Sequence, residues 1–133
     1  MTRTEICDFW IGKFDNSNDY FDLVGEDPEF YQDERDIDEK YISKFAKYQR
    51  ENWIDHDFME SGFENGEDSF FERFKKYSYS DQWIKKLFEK ANETDLSDIN
   101  AVIFIRKGRI KNPISIVESK FTLRYVGQIE YNI

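Results

Sequence analysis

Asp55-His56-Asp57 is the stretch of this sequence whose residue types come nearest to chemistry. Two carboxylates around an imidazole can hold a divalent cation or serve as acid and base. The spacing works against local convergence. In an extended segment Asp55 and Asp57 point one way and His56 the other. On a helix the three spread over roughly 200°. A transition-metal site usually draws on more than one histidine, and this chain has one. A magnesium site built on two carboxylates stays open. The simpler readings are a cap or surface pair of carboxylates beside Trp53, or an acidic patch that faces a partner.

Elsewhere the chain is poor in reactive groupings. Its single cysteine, Cys7, excludes an internal disulfide and the cysteine-based zinc spacings. Cys7 falls in an apolar stretch, where a thiol is usually inert. There is no Gly-x-Ser-x-Gly and no glycine-rich phosphate loop. Arg106, Lys107, Arg109 and Lys111 surround a predicted turn. They could hold a phosphate, but a solvated hairpin tip is the simpler reading. No catalytic residue, metal or cofactor is therefore assigned.

Charge is the more informative signal. The net charge is −9, divided very unevenly. Residues 1–72 carry −14 and residues 73–133 carry +5. Asp19–Glu39 alone holds ten acids and one base, Arg35. A surface of that kind repels nucleic acid and membranes and steers basic partners inward. It also keeps soluble a chain that is 18% aromatic. Such an aromatic load, with only two prolines and six glycines, belongs to a folded globule rather than a disordered or low-complexity chain. The length suits one domain, residues 1–133. Met1–Trp10 lacks the order of a signal peptide, and no apolar run nears the ~20 residues that span a bilayer, so a cytoplasmic location is expected.

The frame that must carry these groups is set by the tail. From Phe121 to Ile133 the odd positions are Phe121, Leu123, Tyr125, Gly127, Ile129, Tyr131 and Ile133, and the even ones are polar except Val126. That alternation predicts a long strand with one covered and one largely wet face. Ile6–Phe14 is apolar on both sides and predicts an inner strand, with Asp8 as a carboxylate at its end reaching solvent or a backbone N–H. Ala101–Ile105 predicts a buried strand and Ile114–Glu118 a short one. Helical spacing places helices at Asp19–Val24, stopped by Gly25; at Ile37–Gln49, capped by Asp36; at Glu67–Tyr77; and at Asp81–Ala91. Glu26–Asp36 predicts a loop, and Ser61-Gly62 the end of the segment that begins at Asn52. The expectation is an α+β fold: an antiparallel sheet of about four to five strands, from the N-terminal strand and the C-terminal ones, with helices packed on one face.

An ordered series of short pieces resembles the immunity protein 22 family of bacteria that deploy polymorphic or contact-dependent toxins. The pieces are Phe9-Trp10-Ile11-Gly12-Lys13-Phe14, Ser43-x-Phe45, Trp53-x-Asp55-His56-Asp57-Phe58, Tyr77-Ser78-Tyr79-Ser80, Asn100-Ala101-Val102-Ile103, and Tyr125-Val126-Gly127-Gln128-Ile129-Glu130-Tyr131. The resemblance implies a small cytoplasmic α+β protein that binds and neutralises one toxin domain and is not an enzyme. Such toxins are often nucleases, whose phosphate-binding clefts are basic.

The acidic half then becomes the expected toxin-binding surface. It comprises Glu26, Asp27, Glu29, Tyr31, Asp33, Glu34, Asp36 and Asp38, joined by Trp53, Asp55, Asp57, Glu60 and Glu64. Carboxylates would supply steering and hydrogen bonds, with Trp53 or Tyr31 as the aromatic anchor. Neither nucleic acid nor membrane is expected as a partner, and the sequence leaves the oligomeric state open, with a monomer favoured. Two other readings stand beside this one: a metal-dependent hydrolase using Asp55, His56 and Asp57, and an acidic adaptor with no toxin partner.

Overall fold

The computed structural model describes residues 3–25, 43–51, 58–64, 69–91 and 98–133. Its elements in chain order are β1 (Thr4–Phe14), α1 (Ser17–Val24), α2 (Lys44–Tyr48), β2 (Met59–Phe63), α3 (Phe70–Phe74), α4 (Ser80–Ala91), β3 (Ala101–Arg106), β4 (Ile116–Val117) and β5 (Phe121–Asn132). The strands form one antiparallel sheet of five in the order β2-β3-β1-β5-β4. This is the expected α+β architecture. The doubly apolar strands β1 and β3 lie inside the sheet, side by side, as their composition requires.

One expectation about that sheet is overturned: helices cover both faces. Cys7, Phe9 and Ile11 of β1, with Val102 and Phe104 of β3, pack under Phe70 and Phe74 of α3 and Trp83, Ile84, Leu87 and Ala91 of α4. On the opposite face Trp10 and Phe14, with Ala101, Ile103 and Ile105, pack under Tyr20, Leu23 and Val24 of α1 and Phe45 and Ala46 of α2.

The tail serves both cores because β5 turns over partway. Phe9 pairs with Gly127, but Trp10 pairs with Tyr125, so Val126 is skipped. A β-bulge of this kind reverses which parity points to which side. Leu123 therefore belongs to the α1/α2 core, with Phe121 and Tyr125 packed against it, whereas Ile129 and Tyr131 belong to the α3/α4 core. Val126, the exception in the alternation, is the skipped residue and rests on the α3/α4 core. Gly127 adopts φ 129°, a backbone state that side chains other than glycine's rarely take.

The helices start where short polar caps allow. Asn16 accepts from the Asp19 N–H, and α1 ends at Gly25 as expected. Ser43 is extended and its Oγ accepts from the Ala46 N–H, so a helix begins at Lys44 rather than running through from Ile37; Ile37–Tyr41 lie outside the described residues. Ser69 caps α3 in the same way, and that helix ends at Phe74, short of the expected Tyr77. Helix α4 matches its expected span to within a residue. Strand β4 is confined to Ile116–Val117.

Two further expectations are corrected. Ser61-Gly62 does not close a segment but lies within the edge strand β2. Asp8 does not reach solvent: it is buried, and Tyr125 donates its hydroxyl to Asp8 Oδ1 at 2.6 Å. Asp8 is paired in register with Ile105 on one side and Gln128 on the other, and the side chains of Tyr125 and Gln128 bond its carboxyl.

Candidate functional site

Of the thirteen residues expected to meet a partner, eleven lie outside the described residues: Glu26, Asp27, Glu29, Tyr31, Asp33, Glu34, Asp36, Asp38, Trp53, Asp55 and Asp57. His56 does too. The remaining two, Glu60 and Glu64, sit on and just beyond β2 at the edge of the sheet. Both are engaged by the segment that joins α3 to α4. Glu60 Oε2 accepts the Ser78 N–H at 2.9 Å. Glu64 Oε1 accepts the Tyr77 hydroxyl at 2.8 Å and pairs with Lys76 Nζ at 2.6 Å. Burial, and then Glu64 as acceptor, push the Tyr77 phenol well above its ordinary range. Gly62 between them leaves room for the Tyr77 ring. The two carboxylates thus share one edge, half-buried and hydrogen-bonded within the fold.

A second group of acids comes from tertiary structure rather than from the run of charge. Asp19 and Asp22 of α1 meet Glu118 of the β4–β5 turn around a surface cleft of about 160 Å³, lined also by Tyr48, Ser119, Lys120 and Phe121. Tyr48 donates to Glu118 Oε1 at 3.1 Å, and Lys44 pairs with Asp22 at 2.6 Å. Asp19 and Asp22 open the acidic run and carry an i, i+3 spacing on an amphipathic helix, which places them near one another on its surface. Glu118 gave no such signal, being brought in by the sheet.

At the opposite end of β3 the charge is positive. Phe58 precedes β2 and is 37% exposed. Arg109 lies over its ring at 4.0 Å and Arg106 beside it at 5.6 Å. Arg106 also reaches Glu5 Oε1 at 3.6 Å. The segment carrying these bases is tied down and is not a free hairpin tip. The Lys107 N–H donates to the Ile6 carbonyl, Ile110 is buried, and the Lys111 N–H donates to Glu51 Oε1. The Gln49 amide bonds both the N–H and the carbonyl of Ile114, and the Trp10 indole donates to the same carbonyl.

Reactive groups are few. Burial pushes the Cys7 thiol up to about 11, and its sulfur lies 3.4 Å from the Tyr131 hydroxyl. Among the described residues no three His, Cys, Asp or Glu side chains come together as a metal site. No helix among them is long and apolar enough to cross a membrane.

The expected resemblance is met by a family model described as Immunity protein 22, which matches residues 7–132. No curated protein and no solved structure matches the chain. The matched span runs from Cys7, within β1, to the last residue of β5 and so takes in most of β1 and every later strand and helix described above. The chain belongs to the Immunity protein 22 family.

Proposed function

We propose that this protein is the immunity partner of a bacterial toxin domain, which it neutralises in the cytoplasm by binding it one to one, with no catalysis of its own. Membership of the Immunity protein 22 family over residues 7–132 is the observation that carries this reading. The toxin is a basic enzyme, a nuclease of a polymorphic or contact-dependent system. The acidic half of the chain, net −14 over residues 1–72, presents carboxylates where the toxin would otherwise hold phosphates. Opposite potentials accelerate encounter and disfavour wrong partners, and a few buried anchors then set the affinity.

The contact surface is the arc from Glu26 to Asp38, with Trp53, Asp55, Asp57, Glu60 and Glu64. The exposed side of α1, which carries Asp22, leads directly into that arc at Gly25. An interface of standard size, about 1,600 Å² in total, would accommodate such a surface. The decisive experiment expresses the adjacent toxin gene with and without this chain and purifies the two together. Killing by the toxin alone, rescue by this chain and a stoichiometric complex are expected. Reversing the charges of Asp55, Asp57 and the Glu26–Asp38 acids should weaken both rescue and affinity. Rescue and affinity that survive all of these reversals would show the surface to be elsewhere, and a harmless, unbound neighbour would sink the immunity reading.

A further inference from the structure

The basic end of β3 carries a second recognition feature, of opposite sign to the acidic arc. Arg106 ends β3 and pairs in register with Cys7, which places its side chain on the α3/α4 side of the sheet. Phe58 lies one position before the Met59–Ile105 pair, and so across from Arg106 on that same side. Arg109 comes over the ring from the following turn. Two guanidinium groups therefore share one exposed aromatic ring. Among the described residues Arg106 pairs with Glu5 at 3.6 Å, longer than a charge-assisted hydrogen bond, and Arg109 makes no ion pair. The pair keeps an excess positive charge, and bringing like charges together is unfavourable until an anion joins them.

We infer that Phe58, Arg106 and Arg109 form a docking platform for a carboxylate-bearing segment of the toxin. This rests on the immunity reading and adds a second point of contact to it. The planar fork of arginine suits a carboxylate bidentately, and stacking on Phe58 fixes the plane of the fork. The platform is preorganised, because the Lys107 N–H, buried Ile110, the Lys111 N–H and the Gln49–Ile114 bonds anchor the turn before any partner arrives. Little ordering is then left for binding. Arginine and aromatic side chains are also the types that dominate interface energetics. Nucleic acid is the poorer occupant, since a chain of net charge −9 repels a polyanion at long range.

The test uses the full chain and its adjacent toxin domain. Affinity is measured by calorimetry for wild type, Arg109→Glu and Arg109→Lys, with thermal melting of each free protein alongside. Arg109→Glu should weaken binding by about 30-fold or more and Arg109→Lys by several-fold, because lysine keeps the charge but loses the fork. Melting midpoints should fall by no more than a few degrees, since Arg109 is exposed and its loss removes only the contact with the Phe58 ring. Replacing the contacting toxin carboxylate by arginine should restore affinity for Arg109→Glu. Tight wild-type binding that stays within twofold in Arg109→Glu overturns the platform and leaves the immunity reading standing. No binding by wild type sinks that reading, and the platform with it. A labelled single-stranded oligonucleotide bound by wild type and lost in Arg109→Glu, with toxin affinity unmoved, would reassign the platform to nucleic acid and overturn the proposal.

Discussion

The Tyr77 hydroxyl fills the space that a side chain at residue 62 would need: a Cβ on Gly62 would lie 1.7 Å from it. From that position Tyr77 bonds Glu64, and so the segment before α4 holds the edge strand β2. Gly62→Ala should displace the ring and destabilise the protein by about 2–3 kcal/mol, the usual scale for overpacking. Tyr77→Phe should lose only a hydrogen bond, about 1 kcal/mol. Urea denaturation of both variants checks this. The cost of Gly62→Ala should shrink when Tyr77 is also Ala, and additive costs would show that the two residues are not coupled.

The same contact explains why β2 was illegible in the sequence. Ser61-Gly62 has the composition of a strand end, and the reason for its glycine is a tyrosine from a different part of the chain. Strands β1, β3 and β5 and helix α4 were legible because their own apolar spacing is unambiguous. Helix ends at Lys44 and Phe70 were less so, since Ser43 and Ser69 interrupt apolar patterns that run past them. The acid-rich stretch was legible as charge. Its extension to Glu118 and the convergence of Arg106 and Arg109 on Phe58 were not, because each depends on strand pairing that no local pattern encodes.

The bulge in β5 was hidden in a pattern that looked uninterrupted. Every odd residue from Phe121 to Tyr131 is apolar or glycine, yet the chain reverses face at Val126–Gly127. A Cβ at Gly127 would meet the Lys90 side chain, Nζ at 3.6 Å and Cδ at 3.9 Å, which is ordinary contact, so steric conflict is not the constraint. Its φ of 129° is. Gly127→Ala should therefore cost about 1–3 kcal/mol in backbone strain. A loss of that size in denaturant midpoint, with an unchanged m-value, is the expected result. A neutral outcome would mean that β5 can pair without the bulge.

Asp8 should make the protein less stable as its carboxyl ionises. Burial raises its pKa above the ordinary 3.8, partly offset by hydrogen bonds from Tyr125 and Gln128 and by Lys107. A group with a raised folded pKa contributes stability that is present below the unfolded value and is lost as pH rises through the folded one. Asp8→Asn keeps an acceptor for Tyr125 without the charge. The variant should match wild type at roughly pH 3 and gain on it by roughly pH 7. Denaturation midpoints across that range test the sign, and a variant that loses ground as pH rises would refute it.

Cys7 makes the corresponding prediction on the alkaline side. Its thiol titrates at about 11 in the fold, against an ordinary value of 9.0, with desolvation as the main cause. Between those values the unfolded chain has released its proton and the folded chain has not, so stability falls as pH rises. The full effect is about 2–3 kcal/mol by linkage. Cys7→Ala should flatten this alkaline decline, although the raised Tyr125 and Tyr131 phenols leave part of it in place. A thiol reagent should react slowly with the native protein near neutrality and quickly once it is unfolded.

Glu60 and Glu64 offer a way to separate charge from structure in the proposed interface. Each already accepts a hydrogen bond inside the fold, Glu60 from the Ser78 N–H and Glu64 from the Tyr77 hydroxyl. Glutamine at either position can keep accepting those bonds while removing a negative charge. Glu60→Gln with Glu64→Gln should therefore leave the melting midpoint within a few degrees of wild type. Association with the toxin should slow by a few-fold at low salt, and the difference should vanish near 1 M, where screening shortens the Debye length to about 3 Å. Stopped-flow association at several salt concentrations reads this directly. If the double variant associates at the wild-type rate at every salt concentration, these two carboxylates act only within the fold, and steering must come from the Glu26–Asp38 arc and its neighbours.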